Sequence, residues 1–345
     1  MEIWVLGALG RTGRGITAEL AARGVPAVLV GRNRERLAAT GSKFVVADGA
    51  EAIAAEIRRQ RPAVVVNTIG EYAATAGTIA RACLPGGHYV DLAADLVAVP
   101  RLLDLHEAAL AGGSTFVTGA GFGVLATEAV VAKLCEGRAT PSAVHVDAVA
   151  SVAIEAGALG VALAASIVDA LTTGGREYRN GRLVPARLGA NARTLEFPDG
   201  ETAKSASVPS GELVAAQRAS GAPSVTITSG LAPTSPAVRA VLPLLGRVLS
   251  IAALRRFAIG RLAGIQAKAA PRPRAHSWGH AVVTWPDGTT REGWLRAGEG
   301  MDFTTSVVAE VAARLARGEG KPGAHTPTSA LGAEVAEAAG GTFLL

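Results

Sequence analysis

Three glycines near the start of the chain, Gly7, Gly10 and Gly13, stand in a Gly-x-x-Gly-x-x-Gly spacing. Their chemistry is that of side chains left out. A Cβ there would block either a tight turn or the approach of a pyrophosphate to the open N–H groups at a helix N-terminus, where the helix dipole also favours an anion. Residues Leu9, Gly10, Arg11, Thr12 and Gly13 would then surround the phosphates. An ordinary glycine-rich turn is the alternative, and context argues against it: an apolar run, Ile3 to Leu6, precedes the triplet and a helical pattern, Ile16, Leu20 and Ala21, follows it.

The next chemistry-bearing group is cationic. An NAD site usually carries an acid at the end of the second strand to bind the ribose 2'-OH, whereas a 2'-phosphate asks for a cation. After the apolar run Val25 to Val30 this chain reads Gly31, Arg32, Asn33, Arg34, with no acid until Glu35. Arginine offers a phosphate a planar fork of donors. The expectation is NADP, as NADPH rather than NADH, with Arg32 and Asn33 at the adenosine ribose. Solvated loop arginines are the alternative.

Reduction by a nicotinamide also needs a proton source. Tyr72, Tyr89, Asp91, Glu71, Glu128 and His145 have suitable side chains. Tyr72 is preferred because it follows a strand end expected beside the nicotinamide, with Glu128 and Asp91 as further candidates. Packing against cofactor, capping or core burial are the competing roles of these residues. No Tyr-x-x-x-Lys pair, which would lower a tyrosine pKa, begins at Tyr72 or Tyr89.

These residues need elements to hold them. The apolar runs Lys43 to Ala47, Ala63 to Asn67, His88 to Leu92 and Thr115 to Thr118 read as further buried strands, separated by helical patterns at 50–59, 75–83 and 99–111. Such alternation predicts an α/β fold, a Rossmann doubly wound parallel sheet. Ligands lie at the carboxyl ends of its strands. Asn67, Thr68 and Gly70 should therefore border the ribose and nicotinamide. Asp48 ends the third strand and either meets an adenine edge or caps the following helix.

Beyond residue 120 the signals change. Strands are expected at 144–149, 152–154, 225–228, 281–285 and 289–295, a hairpin turning at Asn180 and Gly181, and helices at 157–172 and 304–317. Ser235 and Pro236 open another helix, with Pro243 inside it. The expected second domain is α+β, an open sheet with helices on one face.

The segments VLGALGRTGRGITAELA, VLVGRNRERL, VVVNTIGEYA and GGHYVDLAAD resemble, in order and spacing, the NAD(P)-binding domain of the saccharopine dehydrogenase-like oxidoreductases. GAGFGVLATEAVVAKL, GGREYRNGRLV and KPGAHTPTSALG extend a weaker likeness over nearly the whole chain. The resemblance implies an NADP-binding Rossmann domain at 1–120, completed by a C-terminal helix at 322–345, and a substrate and oligomerisation domain at 121–321. It also implies a reductase acting on a C=N, C=C or C=O bond of a small or acyl-linked metabolite. Two departures limit it. Glu71 stands where the family usually has proline, and Gly121, Phe122 and Gly123 lack the acid that saccharopine reductases and their enoyl-reductase relatives carry there. No catalytic acid carries over from that motif, which separates this chain from true saccharopine reductases and leaves a redox-inactive NADPH-binding sensor or scaffold as the alternative.

The 345 residues allow two domains, and with 49% hydrophobic but only 4% aromatic residues the core must be built from Ala, Val and Leu. Cys83 and Cys135 form neither a disulfide framework nor a zinc site, and no metal is expected; their scarcity fits a reducing cytoplasm. The composition resembles that of a high-GC bacterium. No signal peptide is expected, because strand pattern begins at Ile3, and no window is long and apolar enough to span a membrane.

Between Glu212 and Asp287 there is no acid, but Arg218, Arg239, Arg247, Arg255, Arg256, Arg261, Lys268, Arg272 and Arg274 are all present. Such a block would suit an anionic small-molecule or carrier-linked substrate, or anionic lipid touched peripherally by the basic helix; a solvated face is the plain alternative. Nucleic acid fits poorly, since only Phe257, Trp278 and Trp285 could stack bases. The oligomeric state stays open, a homodimer included.

Overall fold

The computed structural model describes residues 2–345. In chain order the first elements are β1 (Ile3–Leu6), α1 (Arg11–Ala22), β2 (Ala27–Gly31), α2 (Arg34–Ala38), β3 (Phe44–Val46), α3 (Gly49–Gln60), β4 (Val64–Asn67), α4 (Tyr72–Ala82), β5 (His88–Asp91), α5 (Ala98–Leu103), α6 (His106–Ala111), β6 (Thr115–Val117) and α7 (Phe122–Cys135). The strands lie where the apolar runs predict. The helix expected over 99–111 is instead two short helices.

The middle of the chain forms β7 (Ala143–Val149), β8 (Gly157–Ala158), α8 (Val161–Thr173), β9 (Gly175–Arg179), β10 (Arg182–Ala186), β11 (Arg193–Glu196), β12 (Thr202–Ser205), α9 (Glu212–Ser220) and β13 (Ser224–Ser229). It continues through α10 (Pro236–Leu249), α11 (Ala252–Ala263), β14 (Gln266–Ala267), β15 (Ser277–Thr284) and β16 (Thr290–Ala297). Last come α12 (Gly300–Ala316), β17 (Gly323–His325), α13 (Pro327–Leu331), α14 (Glu334–Ala338) and β18 (Thr342–Leu344).

The chain divides into two compact units, Met1–Leu125 with Met301–Gly340, and Ala126–Gly300 with Gly341–Leu345. This corrects the expected boundaries in two places. Nearly all of α12, assigned from sequence to 121–321, belongs to the first unit. The segment 322–345 is not a helix; it holds a strand of the first sheet, two short helices and β18, which pairs with β16 in the second sheet.

The first unit is built on a seven-stranded sheet in the order β17-β6-β5-β4-β1-β2-β3, every neighbouring pair parallel. That is the doubly wound order extended by one edge strand. β1 and β4 are buried along their whole length, which explains why they read as unbroken apolar runs without alternation. α12 lies against α1: Arg23 donates to Ser306 Oγ at 2.9 Å and forms an ion pair with Glu310.

The second unit has a mixed seven-stranded sheet, β10-β9-β13-β7-β15-β16-β18. β13 and β7 are parallel and the remaining pairs antiparallel. The β9–β10 hairpin turns as expected at Asn180 and Gly181, both left-handed. The segment 152–154 is not a strand; only Ile154 makes a bridge, to Ala270. One core cluster joins Phe197, stacked on Trp278 at 5.8 Å, to the edge of Trp294. Among the described residues no single helix is long and apolar enough to cross a membrane.

Candidate functional site

The first unit reverses its strand order between β1 and β4, and a doubly wound sheet opens a crevice at that point. Leu6 and Asn67 are register partners there, so the glycine loop and the segment 67–72 leave the sheet side by side. Thr68 binds the two together: its N–H and its Oγ1 both donate to Leu6 O, at 3.2 and 2.7 Å.

Each glycine of the loop has its own reason. Gly7 is left-handed, with φ of 72°, and a Cβ on it would meet Thr68 Oγ1 at 2.9 Å. Gly10 N–H closes the turn onto Gly7 O at 2.9 Å and is the N-cap of α1. A Cβ on Gly13 would lie 2.4 Å from Gly7 O, so only glycine lets the first turn of α1 press onto the loop. No side chain caps that helix and no acid lies in its first turn. Its leading N–H groups are thus left for an anion, and a dinucleotide pyrophosphate fits the cradle. Leu9 and Thr12 are half-buried, Gly10 and Arg11 exposed, and Arg14 steadies the loop by donating to Leu9 O at 2.9 Å.

At the end of β2, Arg32 is exposed and makes no ion pair among the described residues. Its neighbours are engaged. Asn33 Oδ1 accepts from Arg36 N–H at 2.9 Å, capping α2, and the Arg34 guanidinium lies over the Phe44 ring at 5.9 Å. Asp48 is exposed at the N-cap position of α3 without a side-chain capping bond, so of its two sequence roles the capping one is absent.

At the ends of β4, β5 and β6 a buried polar network forms. Asn67, fully buried, donates from Nδ2 to Tyr89 Oη at 2.9 Å, and Tyr89 Oη donates to Asp91 Oδ2 at 3.0 Å. Asp91 Oδ1 accepts from Thr118 Oγ1 at 2.7 Å, Ala93 N–H at 3.0 Å and Gly119 N–H at 3.3 Å. Burial pushes the Asp91 carboxyl up to about 6, with these hydrogen bonds pulling the other way. Fully enclosed and with its acceptor positions filled, Asp91 ties three strand ends together rather than facing a ligand. Tyr89 is core as well, the alternative weighed for it from sequence.

Tyr72 stands differently. It opens α4, is half-buried, and its hydroxyl donates to Asn67 O at 3.3 Å. Burial, reinforced by the charge of nearby Asp91, pushes its phenol well above the ordinary value. Tyr72 therefore keeps its proton, and can give a hydrogen bond but is no stronger an acid than free tyrosine. Before it, Gly70 and Glu71 are both left-handed, with φ of 73° and 45°. Proline, with φ near −65°, cannot occupy residue 71 in this conformation, so the departure from the family pattern has a backbone counterpart.

The other candidates lie in the second unit. Glu128 is buried on α7, 1% exposed. His145 is drawn into a cluster around Asp147 on β7. Register assembles this cluster: Thr228 of β13 and His280 of β15 are the direct partners of Asp147 on either side. Asp147 is fully buried and accepts from His280 Nδ1 at 2.7 Å, from His145 Nε2 at 3.2 Å, and from Thr228 and Arg193. Burial alone would raise its pKa, but the hydrogen bonds from His145, His280 and Thr228, with the charge of His145, outweigh it and hold the carboxyl far below the usual range. His280 also reaches Glu292 at 2.9 Å and stacks on Trp294 at 3.8 Å. Sequence reasoning missed Asp147, Arg193 and His280. The only early signal was the two-residue spacing of His145 and Asp147, which puts both on one face of a strand.

A cavity of about 440 Å³, lined by Ile57, Arg58, Arg61 and residues 84–87, opens at the amino ends of β4 and β5, the end of the sheet away from the glycine loop.

No protein-family profile and no curated protein matches this sequence. Solved structures do. Apo saccharopine dehydrogenase (L-Glu forming) from Saccharomyces cerevisiae is similar over 100% of both chains, at 13% identity and a TM-score of 0.57. A probable dehydrogenase from Thermotoga maritima covers 98% of this chain and 94% of its own, at 10% identity and a TM-score of 0.44. Serine dehydrogenase from Escherichia coli covers 34% of this chain and 81% of its own, at 17% identity and a TM-score of 0.29. The chain has the fold of the yeast enzyme. Identity this low speaks for the fold alone.

Proposed function

We propose that this chain is an NADPH-dependent oxidoreductase that reduces a C=N, C=C or C=O bond of a small or carrier-linked metabolite. The observation that carries the reading is the glycine cradle at the switch point of the doubly wound sheet, where Gly7 and Gly13 leave no room for a Cβ and no acid opposes an anion. Such a cradle accepts the pyrophosphate of a dinucleotide.

The nicotinamide cofactor would supply the hydride. This chain's residues would bind and orient it. Leu9 to Gly13 would hold the pyrophosphate; Arg32 would take the 2'-phosphate with its planar donors; Asp48 would border the adenine; Thr68 and Gly70 would line the edge nearest the nicotinamide. Tyr72, with its proton retained, would turn its hydroxyl from the long contact to Asn67 O and give that hydrogen bond to the substrate atom on which negative charge develops. Asn67, Tyr89 and Asp91 would keep the strand ends rigid beneath it.

A second reading, a redox-inactive NADPH-binding sensor or scaffold, draws on a specific feature. Asp91 and Glu128 are enclosed, and the Gly121 to Gly123 segment carries no acid, so neither of these two carboxyls nor that segment offers an exposed proton donor. Fluorescence titration with NADPH and NADH tests the shared part of both readings. A scan of enals, imines and ketones for oxidation of bound NADPH separates them: turnover supports the enzyme, and tight binding without turnover on any class supports the sensor.

A further inference from the structure

The acid-free segment contributes helices α10 and α11 to the second unit, and α8, from earlier in the chain, packs against them. α10 buries Leu242, Gly246 and Leu249, and the approach to α8 is close: a Cβ on Gly246 would lie 2.4 Å from Leu171 O. The opposite face of α10 should then be polar, but it is not. Val241, Leu244 and Val248 are 55%, 66% and 41% exposed. α11 has no buried residue, and its Phe257 is 68% exposed. Leu163 on α8 adds to the same apolar set. Water is a poor solvent for helices that are apolar on the side away from their core.

The charges left unpaired on these three helices have one sign. Asp169 is the only acid on the three helices, and Arg255 pairs with it, Nε to Oδ1 at 3.2 Å. Arg247, Arg256 and Arg261 are exposed and make no ion pair among the described residues. A second copy of this chain would bring the same cations against themselves across a two-fold interface. An anionic lipid surface is complementary in both respects, because apolar side chains enter the acyl boundary while arginines remain among the headgroups.

We infer that α10 and α11, supported by α8, dock this protein on the surface of an anionic lipid bilayer. The two helices turn back on each other by 118° at Ser250 and Ile251. At about 1.5 Å per residue each is roughly 20 Å long, short of a hydrocarbon core of about 30 Å. The contact is therefore peripheral, one leaflet deep. It places the proposed reductase beside substrates dissolved in, or delivered from, that leaflet, but it does not depend on the enzyme reading.

The full chain is sedimented with vesicles of phosphatidylcholine alone and of phosphatidylcholine with phosphatidylglycerol, at low and high salt. Binding is expected on the anionic vesicles at low salt, weakened by high salt. Arg256→Glu with Arg261→Glu should weaken it roughly twentyfold or more, at about fivefold per basic residue. Leu244→Glu with Phe257→Glu should abolish it while thermal unfolding, which reports on the fold, is unchanged. Phe257→Trp offers a folded probe: the emission it adds to that of the parent chain should shift to the blue on anionic vesicles and be quenched by brominated acyl chains. No sedimentation at low salt, equal binding to both vesicle types, or an added emission that does not shift overturns the inference. So does a stable dimer in light scattering that Leu244→Glu dissolves without any vesicle binding, since the face would then belong to a second copy.

Discussion

The Cβ that Gly13 lacks would sit 2.4 Å from the carbonyl oxygen of Gly7, closer than any backbone atom can tolerate. The loop and the helix it opens are in contact because both residues are glycine. Gly13→Ala should therefore cost about 1–3 kcal/mol of stability, as an overpacked site does, and should weaken NADPH binding by more than tenfold. Gly260→Ala, in α11 with open space around it, is the control: it should leave NADPH binding unchanged and raise stability by about 0.5–1 kcal/mol, as a helix-interior glycine replaced by alanine does. Thermal melts and fluorescence titration on both variants decide the matter.

Arg32 is exposed and makes no ion pair among the described residues, so replacing it should leave stability unchanged. A charge-assisted hydrogen bond to phosphate contributes about 1.5–3 kcal/mol. Arg32→Ala should thus weaken NADPH about 10- to 100-fold and leave NADH untouched. Equal loss for both cofactors would remove the 2'-phosphate assignment.

Tyr72→Phe tests the proton path. On the proposed role, kcat falls about 10²-fold or more while the Kd for NADPH is unchanged, because the ring remains. A change in Kd with kcat intact would mean that Tyr72 only packs the cofactor. Its raised pKa also predicts that no alkaline limb attributable to this phenol appears in the accessible pH range.

Asp91 and Asp147 should shape stability against pH in opposite directions. The folded value of Asp91, about 6, exceeds its ordinary 3.8, so the folded state holds the proton more tightly. Stability from this group is complete below 3.8 and is lost as pH rises through about 6. Asp91→Asn should flatten that limb. It should also cost about 1–3 kcal/mol, since Tyr89 then loses its acceptor.

Asp147 has a folded pKa far below its unfolded one, so its contribution is present above about 3.9 and disappears on acidification below that. Asp147→Ala strands His145, His280 and Arg193 around a buried gap. A loss of about 3–5 kcal/mol is expected, read by denaturant unfolding at neutral pH. A neutral result would show that the cluster is not what holds β7, β13 and β15 in register.

The doubly wound half of this protein was legible in its residues. Its inner strands are buried on both faces and so are written as apolar runs, and the glycine spacing acts over a few neighbouring residues, where sequence distance and spatial distance agree. Arg32 could be placed for the same reason, being one residue past a strand end. What the tertiary structure decided is where distant segments meet. Asp91 looked like a candidate acid until Asn67 and Thr118 from the neighbouring strand ends, with Tyr89 of its own strand, closed over it. His145 and Asp147 acquired meaning only when register set Thr228 and His280 beside them. The end of the chain, read as a helix, became a strand because an edge of the second sheet was open to pair with it. A strand's partners are chosen by register and by burial across the whole sheet, and neither is written in the local order of residues.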